Sequence, residues 1–336
     1  MNPEKWQPGH YVFIGADRMT EQYILNNFKG VQKAYQWKEL EPEKGQYDFT
    51  EIKHDLDLLG SHGKFLVIQL QYKGYTKGKS IFPDYAKGAE YGGSPFISKV
   101  GALNPVIWNK QVRERMGELI RALGKAFDGN PYLTAINLPE TATNYHFDNP
   151  QEGIEAYSHE KYVESLKYLM KSLREAFPNT VVIQYTNFPT VILQELIDYQ
   201  EDIGVGLGGP DVYPGKIGAT DVNDPEKGVY RFYSQLSGKV PLGAAVQSEN
   251  YADMFKKQNA IRRGQNVTIL PGDEVPFPVR DHLTLAQEKL HLNYMFWARQ
   301  PADCFENVQK LLAEQDVAGD PAGGLDARLP EKTFLK

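Results

Sequence analysis

The feature that most constrains this chain is the order in which its apolar runs alternate with helical patterns. His10–Ala16, Gly30–Trp37, Lys64–Gln71, Leu133–Leu138, Thr180–Asn187, Ile203–Tyr213, Pro241–Tyr251 and Asn293–Ala298 read as strands. Between and after them come segments with apolar residues three and four apart. The clearest is Asn109–Phe127, where Val112, Met116, Leu119, Ile120, Leu123 and Phe127 share one face. Ser158 is a cap for a second, carrying Val163, Leu166, Leu169, Met170, Leu173 and Phe177. Further helices are expected at Thr20–Phe28, Thr50–Gly63, Val191–Tyr199, Val229–Leu236, Leu283–Leu292 and Phe305–Leu312. Strand then helix, repeated eight times, implies parallel strands joined by crossover helices. The expected architecture is a single (β/α)8 TIM barrel over residues 1–336, with enlarged loops after strands 3 and 7. A doubly wound open sheet is the competing arrangement. Residues 318–336, rich in Gly, Pro and charge, are expected to form a surface tail.

Composition narrows the partners. The net charge is −6, which argues against nucleic acid and anionic membranes. No apolar run is long enough to span a bilayer. One cysteine, Cys304, excludes an internal disulfide framework and a cysteine-based zinc site. His10, His146 and His282 are isolated, with no HxH or HExxH spacing, so no metal is expected. No G-x-S-x-G elbow is present. Gly204-Val-Gly206-Leu-Gly-Gly209 satisfies GxGxxG, but Pro210-Asp211-Val212-Tyr213-Pro214 follows where a dinucleotide site needs a helix. No cofactor is expected. No signal peptide is visible at MNPEKWQPGH. The favoured compartment is secreted or periplasmic after signal removal, with cytoplasmic as the alternative. The expected state is a monomer.

In such a barrel the chemistry sits at the C-terminal ends of the strands. Those ends carry Asp17 and Arg18; Trp37, Glu39 and Glu41; Gln69, Gln71 and Tyr72; Asn137 and Glu140; Tyr185 and Asn187; Asp211 and Tyr213; Gln247, Glu249, Asn250 and Tyr251; and Trp297. Amides and acids bind sugar hydroxyls, and aromatic rings stack on sugar faces. Glu140 follows Pro139, which ends its strand because it has no N–H to donate. Glu140 and Glu249, after strands four and seven, lie across the barrel mouth from one another.

This arrangement resembles the large clan of retaining (β/α)8 glycoside hydrolases that carry an acid/base Glu after strand four and a nucleophile Glu after strand seven. Trp37-Lys38-Glu39-Leu40-Glu41-Pro42-Glu43-Lys44-Gly45-Gln46-Tyr47-Asp48-Phe49 is similar to a run that clan members often carry after strand two. The resemblance implies a carbohydrate substrate, with Glu249 as nucleophile and Glu140 as acid/base, the latter kept protonated by its surroundings while Glu249 is ionised. It implies sugar stacking by Trp297 and Trp37, and a Tyr213 that orients Glu249. Gln71, Asn137, Asn187 and Asp211 complete the expected binding set. One position departs from the clan. Pro139 stands where Asn usually precedes the acid/base Glu, and Asn137 is the nearest upstream Asn. The alternative reading is a barrel that binds carbohydrate without cleaving it.

Overall fold

The computed structural model describes residues 3–215, 228–262 and 264–335. Its centre is a closed, all-parallel barrel of eight strands. They are β1 (Gly9–Phe13), β2 (Gly30–Gln36), β3 (Phe65–Gln71), β4 (Leu133–Leu138), β5 (Val181–Tyr185), β6 (Gly206–Gly209), β7 (Leu242–Val246) and β8 (Tyr294–Ala298). Each strand pairs with its sequence neighbours. Pairing of Gly9 with Tyr294 through Phe13 with Ala298 joins the first strand to the last and excludes the open sheet.

Successive side chains on a strand face opposite sides, so each strand feeds two layers. Tyr11, Val67, Ala135, Ile183, Tyr185, Ala245, Tyr294 and Phe296 pack together inside the barrel. Val12, Val31, Leu66, Ile68, Ile136, Val182, Leu207, Val246, Met295 and Trp297 pack outward with the helices. Burial on both faces explains why the strands read as nearly continuous apolar runs. The glycines of β6 answer to this packing. A Cβ on Gly208 would lie 2.6 Å from both Ile183 and Tyr185.

The helices longer than one turn are α1 (Thr50–Ser61), α2 (Lys110–Phe127), α3 (His159–Ala176), α4 (Leu193–Ile203), α5 (Tyr230–Leu236), α6 (Asp253–Arg262), α7 (Val279–Glu288) and α8 (Ala302–Leu312). Asn109 and Ser158 cap α2 and α3, accepting from the backbone N–H of Val112 and Lys161. The loop after β3 folds onto a small antiparallel ribbon of Phe96–Ile97 with Leu103–Asn104.

Several boundaries differ from the sequence reading. Thr20–Phe28 is not a helix, and only a 3-10 turn at Glu21–Tyr23 forms there. Thr20 makes no side-chain cap, and Asn26-Asn27 favours turn over helix. Ile203 ends α4 rather than starting β6, because Gly204 takes a left-handed conformation (φ 72°) that caps the helix. Helix α7 begins and ends earlier than the apolar residues suggested, since Leu290 and Leu292 are buried in the turn that leads into β8. Helix α6 lies in the enlarged loop expected after strand 7. Its one buried residue is Lys256, so it has no apolar stripe to detect. The segment 318–335 is tied down at several points. Ala322, Leu325, Thr333 and Phe334 are buried, Phe334 packs with the barrel interior, and Arg174 donates to the Thr333 carbonyl at 2.9 Å. Lys336, the last residue of the expected tail, lies outside the described residues.

Candidate active site

The run after β2 builds a folded corner. Trp37 is fully buried, and its Nε1 donates to Glu41 Oε2 at 2.9 Å. The other carboxylate oxygen of Glu41 accepts from the Gly45 N–H at 2.8 Å and pairs with Arg115 of α2 at 2.6 Å. Gly45 has φ 78°, a left-handed conformation that favours glycine. Arg115 also donates to the Tyr47 hydroxyl at 2.5 Å, and Asp48 accepts from the Thr50 N–H where α1 begins. The motif therefore ties β2 to α1 and α2. Trp37 presents no face to a sugar.

Trp297 is likewise fully buried. On β8 the inward residues are Tyr294 and Phe296, which puts Trp297 in the helical layer, with its ring 6.1 Å from that of His282 on α7. Its Nε1 donates to His10 Nδ1 at 2.9 Å, so His10 carries its proton on Nε2, which donates to the Gly323 carbonyl. Burial lowers the His10 pKa to about 4. The expected sugar platform is thus one residue out of phase with the barrel interior. Asn137 does face inward but is fully buried, and its Oδ1 accepts from Gln32 Nε2 at 3.0 Å. Gln32 also donates to the Tyr185 hydroxyl at 3.0 Å. These three form a polar layer inside the barrel.

Glu140 lies two residues beyond β4. Its carboxylate accepts from the Asn187 side-chain amide, and its charge acts on the Tyr75 phenol. Asn187 turns its carbonyl oxygen to the Ala142 N–H at 3.1 Å, so one side chain grips both the acid and its loop. Desolvation of the Tyr75 hydroxyl and the Glu140 charge push its pKa well up, while the residue as a whole is exposed. Lys73, almost fully buried, donates to the carbonyl of Glu140 and, at 2.6 Å, to that of Ala142. Gln71, at the end of β3, has a buried Oε1 without a hydrogen-bond partner.

Glu249 lies in a 3-10 turn, Ser248–Asn250, just after β7. Its Oε2 accepts from Asn259 at 2.5 Å, and its Oε1 is 3.9 Å from the Lys256 ammonium. Lys256 also pairs with Asp211, whose Oδ1 accepts from Asn250 at 2.7 Å. Lys256 thereby links the loops after β6 and β7. Tyr213, after β6, is directed at the start of α6. Its hydroxyl bonds to Asp253, the first residue of α6, which contributes Asp253, Lys256 and Asn259 to this part of the mouth.

The strand ends thus assemble two polar clusters. One holds Lys73, Tyr75, Glu140 and Asn187, and the other holds Asp211, Glu249, Asn250, Lys256 and Asn259. Two cavities, of about 320 and 400 Å³, lie elsewhere. The first is beside His10, Lys29 and Asp320, and the second is beside Tyr23, Arg299 and Phe305. Among the described residues no group of three or more His, Cys, Asp or Glu is placed to hold a metal, and no helix is long and apolar enough to cross a membrane.

Known structures share this architecture. A β-galactosidase from the psychrophilic Marinomonas ef1 superposes over 95 % of this chain and 61 % of its own, with a TM-score of 0.59 and 11 % identity. Endo-glycoceramidase II from Rhodococcus sp., in complex with a cellobiose-like imidazole, aligns over 88 % of this chain and 74 % of its own, with a TM-score of 0.53 and 12 % identity. The β-galactosidase of the Antarctic haloarchaeon Halorubrum lacusprofundi gives a TM-score of 0.54 at 13 % identity, over 86 % of this chain and 52 % of its own. The chain has the fold of these glycosidases. It spans about three fifths of the Marinomonas enzyme and half of the Halorubrum one. No protein-family model and no curated protein matches the sequence.

Within this barrel, sequence reasoning missed Lys73, Tyr75, Lys256 and Asn259. Lys73 had a legible signal, because Gln69, Gln71 and Lys73 continue the inward alternation of β3 past its end. Lys256 and Asn259 had none, because they sit on a polar helix that no periodicity revealed.

Proposed function

We propose that this protein is a glycoside hydrolase that cleaves an oligo- or polysaccharide by retaining double displacement. In the first step a Glu249 oxygen attacks the anomeric carbon, the glycosidic C–O bond breaks, and Glu140 gives its proton to the leaving oxygen. In the second, Glu140 takes a proton from water, the water oxygen bonds to the anomeric carbon, and Glu249 departs. The observation that carries this reading is a pair of carboxylates, Glu140 and Glu249, just beyond the C-terminal ends of β4 and β7 in a closed parallel barrel. Glu140 is held by the Asn187 amide, with the Lys73 ammonium bonded to its backbone carbonyl. Glu249 has a lysine ammonium at 3.9 Å, which favours the anion that a nucleophile must be. The glycosidase fold of the barrel supports it too. Gln71 Oε1, an acceptor without a donor, suits a sugar hydroxyl, and the exposed part of Tyr75 suits a ring face.

Azide rescue on an aryl glycoside tests the roles. Glu140→Ala should glycosylate itself and stall, then turn over with azide to give a glycosyl azide of retained configuration. Glu249→Ala should give the inverted azide. Loss of general acid–base help alone costs about 10²–10⁴-fold. Binding of glycans by the wild-type protein with no hydrolysis of any substrate in a broad panel would favour a binding protein instead.

A further inference from the structure

The lysine beside Glu140 has no part in the scheme above, and its burial calls for an explanation. Lys73 follows β3 on the inward-facing side and is 6 % exposed. Its ammonium donates to two backbone carbonyls, those of Glu140 and Ala142, on either side of Thr141. The same short loop is gripped from other directions. Tyr162 of α3 donates to the Thr141 carbonyl at 2.5 Å, and Asn187 bonds to the Glu140 carboxylate and the Ala142 N–H. A neutral amide could brace two carbonyls at a smaller desolvation cost than a buried ammonium. Burial lowers the Lys73 pKa to about 8, and the charge of Glu140 opposes that fall. The Glu140 charge acts on Lys73, Tyr75 and Tyr162, and burial raises the pKa of both tyrosines. Lys73 is the one cation among them.

We propose that Lys73 is a positioning residue that acts on Glu140 by its charge, stabilising the carboxylate left when Glu140 gives up its proton, while its two backbone bonds hold the loop. This rests on the role assigned to Glu140 above. The interaction between two charges is reciprocal. It can therefore be read at the lysine, without any catalytic assay.

The first measurement is the titration of Lys73, followed by NMR of ¹³C-labelled lysine in the wild type and in Glu140→Gln. The midpoint, near 8 in the wild type, should fall in the variant. An unchanged midpoint overturns the proposal. The second is the pH dependence of kcat/KM in Lys73→Met, Lys73→Gln and Lys73→Arg. Gln retains a donor for the carbonyls but no charge. Removing a cation near a carboxylic acid moves its titration by about one unit or more. The alkaline limb should accordingly move up by about one pH unit in both Met and Gln variants and stay near wild type in Arg. A Gln variant with the wild-type profile makes Lys73 a neutral brace and overturns the proposal. So does loss of the native circular dichroism in both Met and Gln variants. If no glycoside is hydrolysed but the lysine midpoint falls, the hydrolase reading fails and the coupling stands. If hydrolysis occurs and the midpoint is unmoved, the reverse holds.

Discussion

Replacing Glu41 with Ala tests whether the run after β2 is architecture or binding surface. The carboxylate is fully buried and receives the Trp37 indole N–H, the Gly45 N–H and the Arg115 guanidinium at 2.9, 2.8 and 2.6 Å. Alanine leaves three donors facing a void, one of them a cation with a side-chain exposure of 14 %. Breaking a buried ion pair by removing one partner costs about 3–5 kcal/mol. Partial access of water to Arg115 argues for the lower half of that range, so about 3–4 kcal/mol is expected. For 336 residues an unfolding entropy of about 2.1 cal/mol/K per residue amounts to about 0.7 kcal/mol/K, so the melting temperature should fall by about 5 °C. Urea unfolding should give the same loss with the slope unchanged. Glu41→Gln, which keeps an acceptor but no charge, should fall between. KM of the folded Trp37→Phe variant should match wild type. A loss below about 1 kcal/mol for Glu41→Ala, or a Trp37→Phe variant of native stability with a raised KM, would refute the structural reading of the motif.

Two buried histidines set an acid limit on stability. His10 and His282 have ordinary pKa values of 6.5 lowered to about 4 by burial, so the unfolded chain binds more protons between those values and stability falls as pH drops from about 6.5 to about 4. Each shift corresponds to about 3 kcal/mol at most, and His10→Gln, measured by urea midpoints at pH 7.5 and 5, should flatten the slope. Gly208→Ala should destabilise the barrel by about 1–3 kcal/mol through overpacking against Ile183 and Tyr185. Tyr185→Phe in the same chain should leave that loss unchanged, since the clash is with carbon rather than with the hydroxyl, and a double-mutant cycle checks it.

The barrel was legible because its strands are buried on both faces and its long helices carry apolar stripes, as on α2 and α3. The segments that escaped lacked those signals. The Thr20–Phe28 stretch has scattered apolar residues, but its uncapped start and its asparagines leave a turn. Helix α6 has no apolar stripe at all. For the site, Glu140, Glu249, Asn187 and Asp211 could be located by counting strand ends, since an end is a topological position. The orientation of an aromatic is a matter of single-residue phase. Trp297 was read as facing the mouth although Phe296, its neighbour, holds the inward place. Trp37 left its strand for a short helix, Trp37–Leu40, and the strand's alternation no longer applied.

The pairing of β1 with β8 also has a consequence during synthesis. Both strands are complete only after Ala298 has been made, 285 residues beyond Phe13. At about 5–20 residues per second a ribosome needs roughly 15–60 s to cover that distance. Throughout that interval one edge of β1, and then of each partial sheet, stands unpaired, and such edges are templates for association with other chains. On a polysome many nascent copies are held side by side in this state. Yield at high expression should therefore depend more on chaperones that shield nascent sheet edges than on the stability of the finished barrel.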